Sequence, residues 1–420
     1  MSYGTAGGAD LPKGVRGVAD PAFTWAVRSF AALFPHRRFG GGAMAVYLDG
    51  EPVVDVWTGW SDRAGQKRWD ADTGAMVFSA TKGVAATVIH RLADRGLVDY
   101  DAPVAEYWRD FGANGKADIT VREVLSHRAG LSNLRGTQAA QILDHQQMEE
   151  VLAAAPADSL RGKPAYHALT YGWLLSGLAR SVTGSGMRDL FRNEIAAPLG
   201  TDGMHLGRPP AGSATREAEI IGPQKLPNVP GLNRVAHRLA GSPRSFALGS
   251  IYFPTISELI VGDTPMLDSE MPAANAISTA RSLARMYGAM ANGGEAGGAR
   301  LLSSESVAAV CGRRRDLTMD RGLFGLPMAF HLGYHASPVP GVLPGFGHVG
   351  LGGSHGWAIP NEGLGIGFVH NRLITPFLAS DQVGFLGTAN LVRRGAQTAR
   401  SRGYRTVPTL GAPYPLQTAA

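Results

Sequence analysis

The sequence predicts an α+β protein: an antiparallel sheet assembled from both ends of the chain, flanked by helices, with a mainly helical region inserted between its halves. Three observations carry this. Two strand-like runs, Ala43–Leu48 and Pro52–Trp57, meet at Asp49-Gly50, a strong hairpin signal between apolar runs. Three more strand-like runs, Gly347–Gly350, Gly356–Pro360 and Gly365–His370, lie in the last third. From about 100 to 310 the pattern is helical or irregular, so the sheet is interrupted rather than continuous.

In order along the chain, residues 1–20 are Gly-rich and expected to be a flexible N-terminus. Pro21–Pro35 reads as an amphipathic helix with Phe23, Val27, Phe30, Leu33 and Phe34 on one side. After the hairpin, Val84, Val88 and Leu92 recur at i+4 in a helix that Gly96 closes. Helices are expected over Thr170–Thr183, stopped by Gly184, and over Met187–Ala197. Residues 203–270, rich in Gly and Pro without a period, read as long loops near a binding cleft. Ser278–Asn292 returns to helix, and a last amphipathic helix covers about 383–402. The expected division is a sheet domain of 21–75 plus 311–405, a mainly helical domain of 76–310 and a tail of 406–420. No internal repeat occurs.

Composition narrows the function classes. Of 420 residues, 44% are apolar and 18% charged, an ordinary soluble globular balance. The net charge of +6 comes from scattered Arg, and the one dense run, Arg313-Arg314-Arg315 before Asp316, is expected on a solvated loop. Without a basic patch interleaved with aromatics, no nucleic-acid partner is expected. The single cysteine, Cys311, rules out an intrachain disulfide and fits a reducing compartment. The N-terminus lacks a charged region followed by an apolar core, so a cytoplasmic location is expected, with cell-envelope association left open. No apolar stretch has the length of a membrane span, although peripheral contact with lipid stays open. Metal-ligand spacing is absent and no cofactor is called for. The sequence leaves room for a homo-oligomer.

The most informative feature is Ser79 followed three residues later by Lys82, where an extended run meets a helical one. Residues i and i+3 share a helix face, which brings the hydroxyl and the amine within reach. A Ser hydroxyl needs an adjacent base to become a nucleophile, and a desolvated Lys can be that base, whereas Arg keeps its proton. Only six of the 40 basic residues are Lys, and Lys82 alone has a Ser three positions before it. The competing account is a helix start with Ser as cap and Lys as a solvated charge.

Four segments decide between them. Phe78-Ser79-Ala80-Thr81-Lys82-Gly83, Val124–Leu131, Tyr166-His167-Ala168 with Tyr171–Leu175, and His348-Val349-Gly350 with Gly352-Gly353-Ser354 occur in this order. The chain thereby resembles the serine β-lactamase/penicillin-binding-protein superfamily, on its class C and family VIII carboxylesterase side, and is similar to mycobacterial lipase/esterase proteins within it. The resemblance spans about 20–400 and implies a β-lactamase/transpeptidase-like fold. It implies that Ser79 is acylated, Lys82 takes its proton or stabilises the general base, and Tyr166, in the helical domain, relays a proton to the leaving group and later activates water. It further implies an oxyanion hole from the backbone N–H groups of Ser79 and Leu351, with His348 and Gly350 beside the substrate. Two departures favour simple esters over β-lactams: Ala168 stands where class C enzymes carry Asn, and His348 stands where many relatives carry Lys.

The expected activity is a serine carboxylesterase or lipase-like hydrolase acting on small esters of short to medium chain length. The rivals are a β-lactamase or D-amino-acid peptidase, an acyltransferase, and a catalytically silent ligand-binding relative. Tyr171 and His127 are expected to be structural. Asn275 is a candidate cleft residue, with a turn-stabilising role as the alternative. Gly352-Gly353-Ser354-His355-Gly356 matches the G-x-S-x-G nucleophile elbow of α/β-hydrolases. After Ser354, however, Asp381 has no His beyond it, and too little chain remains for that sheet, so Ser354 is expected to sit in a turn.

Overall fold

An eight-stranded antiparallel sheet joins the two ends of the chain, in the order Val15–Ala19, Glu51–Gly59, Gly41–Leu48, Leu364–His370, His355–Ile359, Phe346–Val349, Tyr334–His335 and Phe330–His331. The computed structural model describes residues 10–34, 39–134, 137–222, 250, 265–312, 317–322, 326–337, 341–373, 378–408 and 410–414. The Arg313–Arg315 run and most of the 203–270 loops lie outside them.

The hairpin forms where Asp49-Gly50 directs it, both residues in the left-handed region with φ of 52° and 82°. Its first strand then pairs with Leu364–His370, Val46 opposite Ile366 and Met44 opposite Phe368. Side chains alternate across the sheet. Met44, Val46 and Leu48 face Phe23, Val27, Phe30, Val392 and Ala396, while Ala43, Ala45 and Tyr47 belong to the core that contains Leu283, Ala284 and Tyr287. The helix Ala280–Ala291 lies directly on this second face. Gly365 and Gly367 permit it, since a Cβ at Gly367 would stand 2.1 Å from the Ala280 carbonyl oxygen.

The expected flexible N-terminus is corrected at residues 15–19, which pair from Val15 opposite Thr58 to Ala19 opposite Val54. The edge of Glu51–Gly59 offers unpaired backbone groups, and burying Val15 and Ala19 there outweighs the local Gly content. Residues 1–9 lie outside the described residues. The first helix begins as a short 3₁₀ turn, Pro21–Phe23, and continues as Thr24–Ala32. The helix Thr81–Asp94 ends as expected at Gly96 (φ 69°), with Leu97 N–H donating to the Leu92 carbonyl at 2.9 Å. Thr170–Thr183 stops at Gly184 (φ 73°). Met187–Ala197 is not one regular helix: a turn at Met187–Leu190 widens into a π-helix over Phe191–Ala196. The last helix starts at Leu378 and runs to Arg402.

Beyond it, the chain crosses back over the molecule. Arg405 N–H donates to Asp20 and Val407 N–H to the Pro52 carbonyl, both on the sheet side, while Ala412 N–H donates to Asp72 beside the strand Thr73–Met76. Among the described residues, no helix is long and apolar enough to cross a membrane.

Candidate active site

The strand Thr73–Met76 delivers the chain to a 3₁₀ turn, Phe78–Ala80, which runs directly into the helix Thr81–Asp94. Phe78 holds φ at 46°, a left-handed conformation costing about 1–2 kcal/mol for a residue with a side chain. Neighbouring bonds hold it there. Val77 N–H donates to the Ala276 carbonyl at 2.9 Å, Ala276 N–H to Thr81 Oγ1 at 3.0 Å and Ala80 N–H to the Val77 carbonyl at 3.1 Å.

Lys82 is fully buried behind this turn. Its Nζ lies 3.2 Å from Ser79 Oγ, 2.7 Å from the Ala168 carbonyl oxygen and 2.9 Å from the Ala273 carbonyl oxygen. Burial pushes the amine well below the ordinary lysine pKa. A neutral amine has two hydrogens and one lone pair, and the two carbonyls can only accept. In that neutral form the carbonyls take the two hydrogens, and the lone pair is left for the hydroxyl of Ser79.

Tyr166 completes the cluster. Lys82 Nζ stands 4.8 Å from its ring centre. Burial raises the phenol's pKa above its ordinary value, opposed by the neighbouring Ser79 hydroxyl, so the group is protonated at neutral pH. The residue sits on neither a helix nor a strand. Ala165 N–H donates to the His127 carbonyl at 3.1 Å, Tyr166 N–H to Asp320 Oδ1 at 3.0 Å and His167 N–H to His127 Nδ1 at 3.1 Å. His127 thus holds backbone, as expected, and its own φ of 57° shows how tightly that turn is drawn. Tyr171 is fully buried with its hydroxyl unbonded among the described residues, in keeping with a packing role.

The third motif ends beside the nucleophile. A Cβ on Gly350 would stand 2.1 Å from the Val77 carbonyl oxygen, so only glycine lets this strand end lie against the Ser79 turn. Leu351 follows, half exposed. The His348 ring is 6.2 Å from that of Tyr166 and 5.0 Å from that of His335. Burial first, then the neighbouring His335 and Lys82, hold its pKa well below the usual value. Its Nδ1 faces the Val349 carbonyl at 3.2 Å, and its buried Nε2 has no partner among the described residues.

Asn275 is corrected from cleft lining to loop framework. It is fully buried, its Nδ2 donates to the Met266 carbonyl at 2.5 Å and the Ser269 carbonyl at 2.9 Å, and its Oδ1 accepts from Met271 N–H at 3.2 Å. Those bonds occupy the polar side chain and shape the loop whose Ala273 carbonyl meets Lys82. Gly172 lets that loop approach, since a Cβ there would be 2.5 Å from Ala273 N. Ser354 lies buried in a turn, receiving a bond from His370 N–H at 3.2 Å, while His370 Nε2 is bonded to the Gly352 carbonyl at 2.8 Å. No base reaches Ser354 among the described residues. The carbonyls of Ala168 and Ala273 escape sequence reading because any residue supplies a carbonyl. Asp320 escapes it because Asp320-Arg321-Gly322 reads as an ordinary turn.

Comparison with known proteins shows what the whole chain is similar to. A family model described as Beta-lactamase matches residues 26–384. The Esterase/beta-lactamase LipL of Mycobacterium tuberculosis is 58% identical over 411 residues, covering 97% of this chain and 94% of that protein. A crystal structure of a family VIII carboxylesterase superposes with a TM-score of 0.77 at 32% identity, covering 90% of this chain and 99% of that one. A penicillin-binding-protein homologue from Caulobacter crescentus gives a TM-score of 0.76 at 29% identity, covering 89% of this chain and 99% of its own. With a match over most of its length and the Ser79–Lys82–Tyr166 cluster assembled at one point, the chain belongs to the Beta-lactamase family.

Proposed function

We propose that the protein hydrolyses short- to medium-chain carboxylic esters through an acyl-Ser79 intermediate. It is a serine hydrolase of the carboxylic-ester class. The observation that carries the mechanism is Lys82 Nζ, 3.2 Å from Ser79 Oγ, with both other contacts going to carbonyl oxygens at 2.7 and 2.9 Å. Lys82 accepts the hydroxyl proton as Ser79 Oγ attacks the ester carbonyl. The N–H groups of Ser79 and Leu351 stabilise the oxyanion. Tyr166, kept protonated by burial, donates to the departing alkoxide and then takes a proton from the water that attacks the acyl-enzyme.

Substrate preference follows from charge. Ala168 turns its carbonyl to Lys82 and offers only a methyl group, and burial disfavours the charged form of His348, so neither side chain supplies a cationic partner for the carboxylate of a β-lactam. Neutral esters lose nothing in such a site, whereas an anionic ligand leaves its charge desolvated. Hydrolysis of p-nitrophenyl butyrate should vanish in Ser79→Ala and persist in Ser354→Ala, with a butyryl mass increment mapping to Ser79. The opposite pattern, or nitrocefin turnover matching ester turnover, would refute the assignment. Product analysis with added alcohols tests transfer of the acyl group in place of hydrolysis.

A further inference from the structure

We propose that Asp320 is a positioning residue for Tyr166, fixing the backbone from which the phenol reaches Ser79; this rests on Tyr166 being the proton donor to the leaving group. A functional side chain on irregular chain is only as well placed as its backbone, because no helix or strand ladder holds it. Here three successive N–H groups, those of Ala165, Tyr166 and His167, are each caught by a partner. Two of the partners are atoms of His127. The middle one, on Tyr166 itself, is Asp320 Oδ1 at 3.0 Å.

The same oxygen accepts Gly322 N–H at 2.8 Å, and Arg321 N–H reaches the Pro164 carbonyl at 3.4 Å. The turn 320–322 therefore lies flat against residues 164–166. Gly322 makes this contact possible: a Cβ there would stand 2.5 Å from Tyr166 N and 2.6 Å from Tyr166 O. The turn belongs to a two-stranded hairpin, Thr318–Asp320 with Leu326–Met328. Met319 and Leu326 are 66% and 53% exposed, whereas Asp320 is fully buried. The hairpin is thus anchored inward where it meets Tyr166.

The test is kcat/KM per active site titrated with a fluorophosphonate, on p-nitrophenyl butyrate and ethyl butyrate. p-Nitrophenolate departs without a proton and ethoxide needs one, so a defect in proton donation separates the two esters and a general loss of folding does not. Asp320→Ala should lose about 30-fold on the ethyl ester and no more than about 3-fold on the p-nitrophenyl ester. Asp320→Asn, which keeps an Oδ1 acceptor, should stay within about 5-fold of wild type on both. Gly322→Ala displaces the same turn and should reproduce the Asp320→Ala pattern, which preserves the test if Asp320→Ala does not fold. Equal losses on both esters, or none, would overturn the positioning role. Tyr166→Phe is the reference: if it shows no discrimination between the esters, the donor assignment of Tyr166 itself fails, a result distinct from a Tyr166→Phe defect that the Asp320 variants do not share.

Discussion

Lowering the pH should unfold this protein early, because histidines carry much of its buried polar interior. Burial depresses His90 and His370 to about 3, and His167, His205 and His355 to about 4. Their bonds suit the neutral ring. His167 Nε2 accepts from Leu131 N–H at 3.2 Å and His370 Nδ1 from Arg372 N–H at 3.1 Å, roles a protonated ring cannot fill. The unfolded chain takes up protons near pH 6.5 that the native state refuses, so stability is whole above about 6.5 and falls with pH below it. At pH 6 each such histidine costs a little under about 1 kcal/mol, and at pH 5 about 2 kcal/mol. Five of them remove about 4 and about 10 kcal/mol, against a total stability of about 5–15 kcal/mol for a folded domain. His127 and His348, also depressed by burial, act in the same direction. Urea titrations followed by circular dichroism at pH 7.5, 6.5, 6.0 and 5.5 should show unfolding free energy dropping ever more steeply, with a midpoint of acid unfolding between about pH 5 and 6. A free energy equal within about 1 kcal/mol at pH 7.5 and 5.5 would refute the assignment of these rings as buried and neutral.

Catalysis should show its own pH limb within the native range: kcat/KM rises as Lys82 loses its last ammonium proton, and because burial disfavours the charged amine this limb lies well below 10.5. A limb near that value would contradict the geometry. Lys82→Arg, which cannot surrender a proton, should lose at least about 10³-fold in acylation rate, read as burst kinetics. Asn275→Ala removes three buried bonds and should cost about 2–4 kcal/mol in urea unfolding while lowering turnover through the Ala273 carbonyl. Asp55→Ala strands the buried Arg281 guanidinium, whose Nε donates to Asp55 at 2.7 Å, and should cost about 3–5 kcal/mol with little change in kcat of the folded fraction.

What could be read from the sequence followed how local the cause is. Asp49-Gly50, Gly96 and Gly184 dictate backbone conformation by themselves, so the hairpin and two helix ends lie where the residues put them. The Ser79–Lys82 pair is equally local, its geometry set by three residues of helical turn. Residues 15–19 were illegible because their strand exists only through an edge supplied by Glu51–Gly59. The widened turn at Phe191–Ala196 likewise depends on packing. In the site, Asn275 has a residue type that suits both clefts and turns, and only its three bonds tell which applies. The contribution of Asp320 to Tyr166 joins positions 154 residues apart, which no local pattern records.

The pairing of Val46 with Ile366 has a cost in time as well as a benefit in packing. As synthesis proceeds, the hairpin emerges early but cannot acquire this neighbour until about 300 further residues have appeared, and the strand edge that Val46 offers stays unpaired meanwhile. Closing so large a loop before any contact repays it makes for slow, topologically demanding folding. Nascent chains stalled short of position 370 should therefore be clients of holdase chaperones, while the released full-length protein should not.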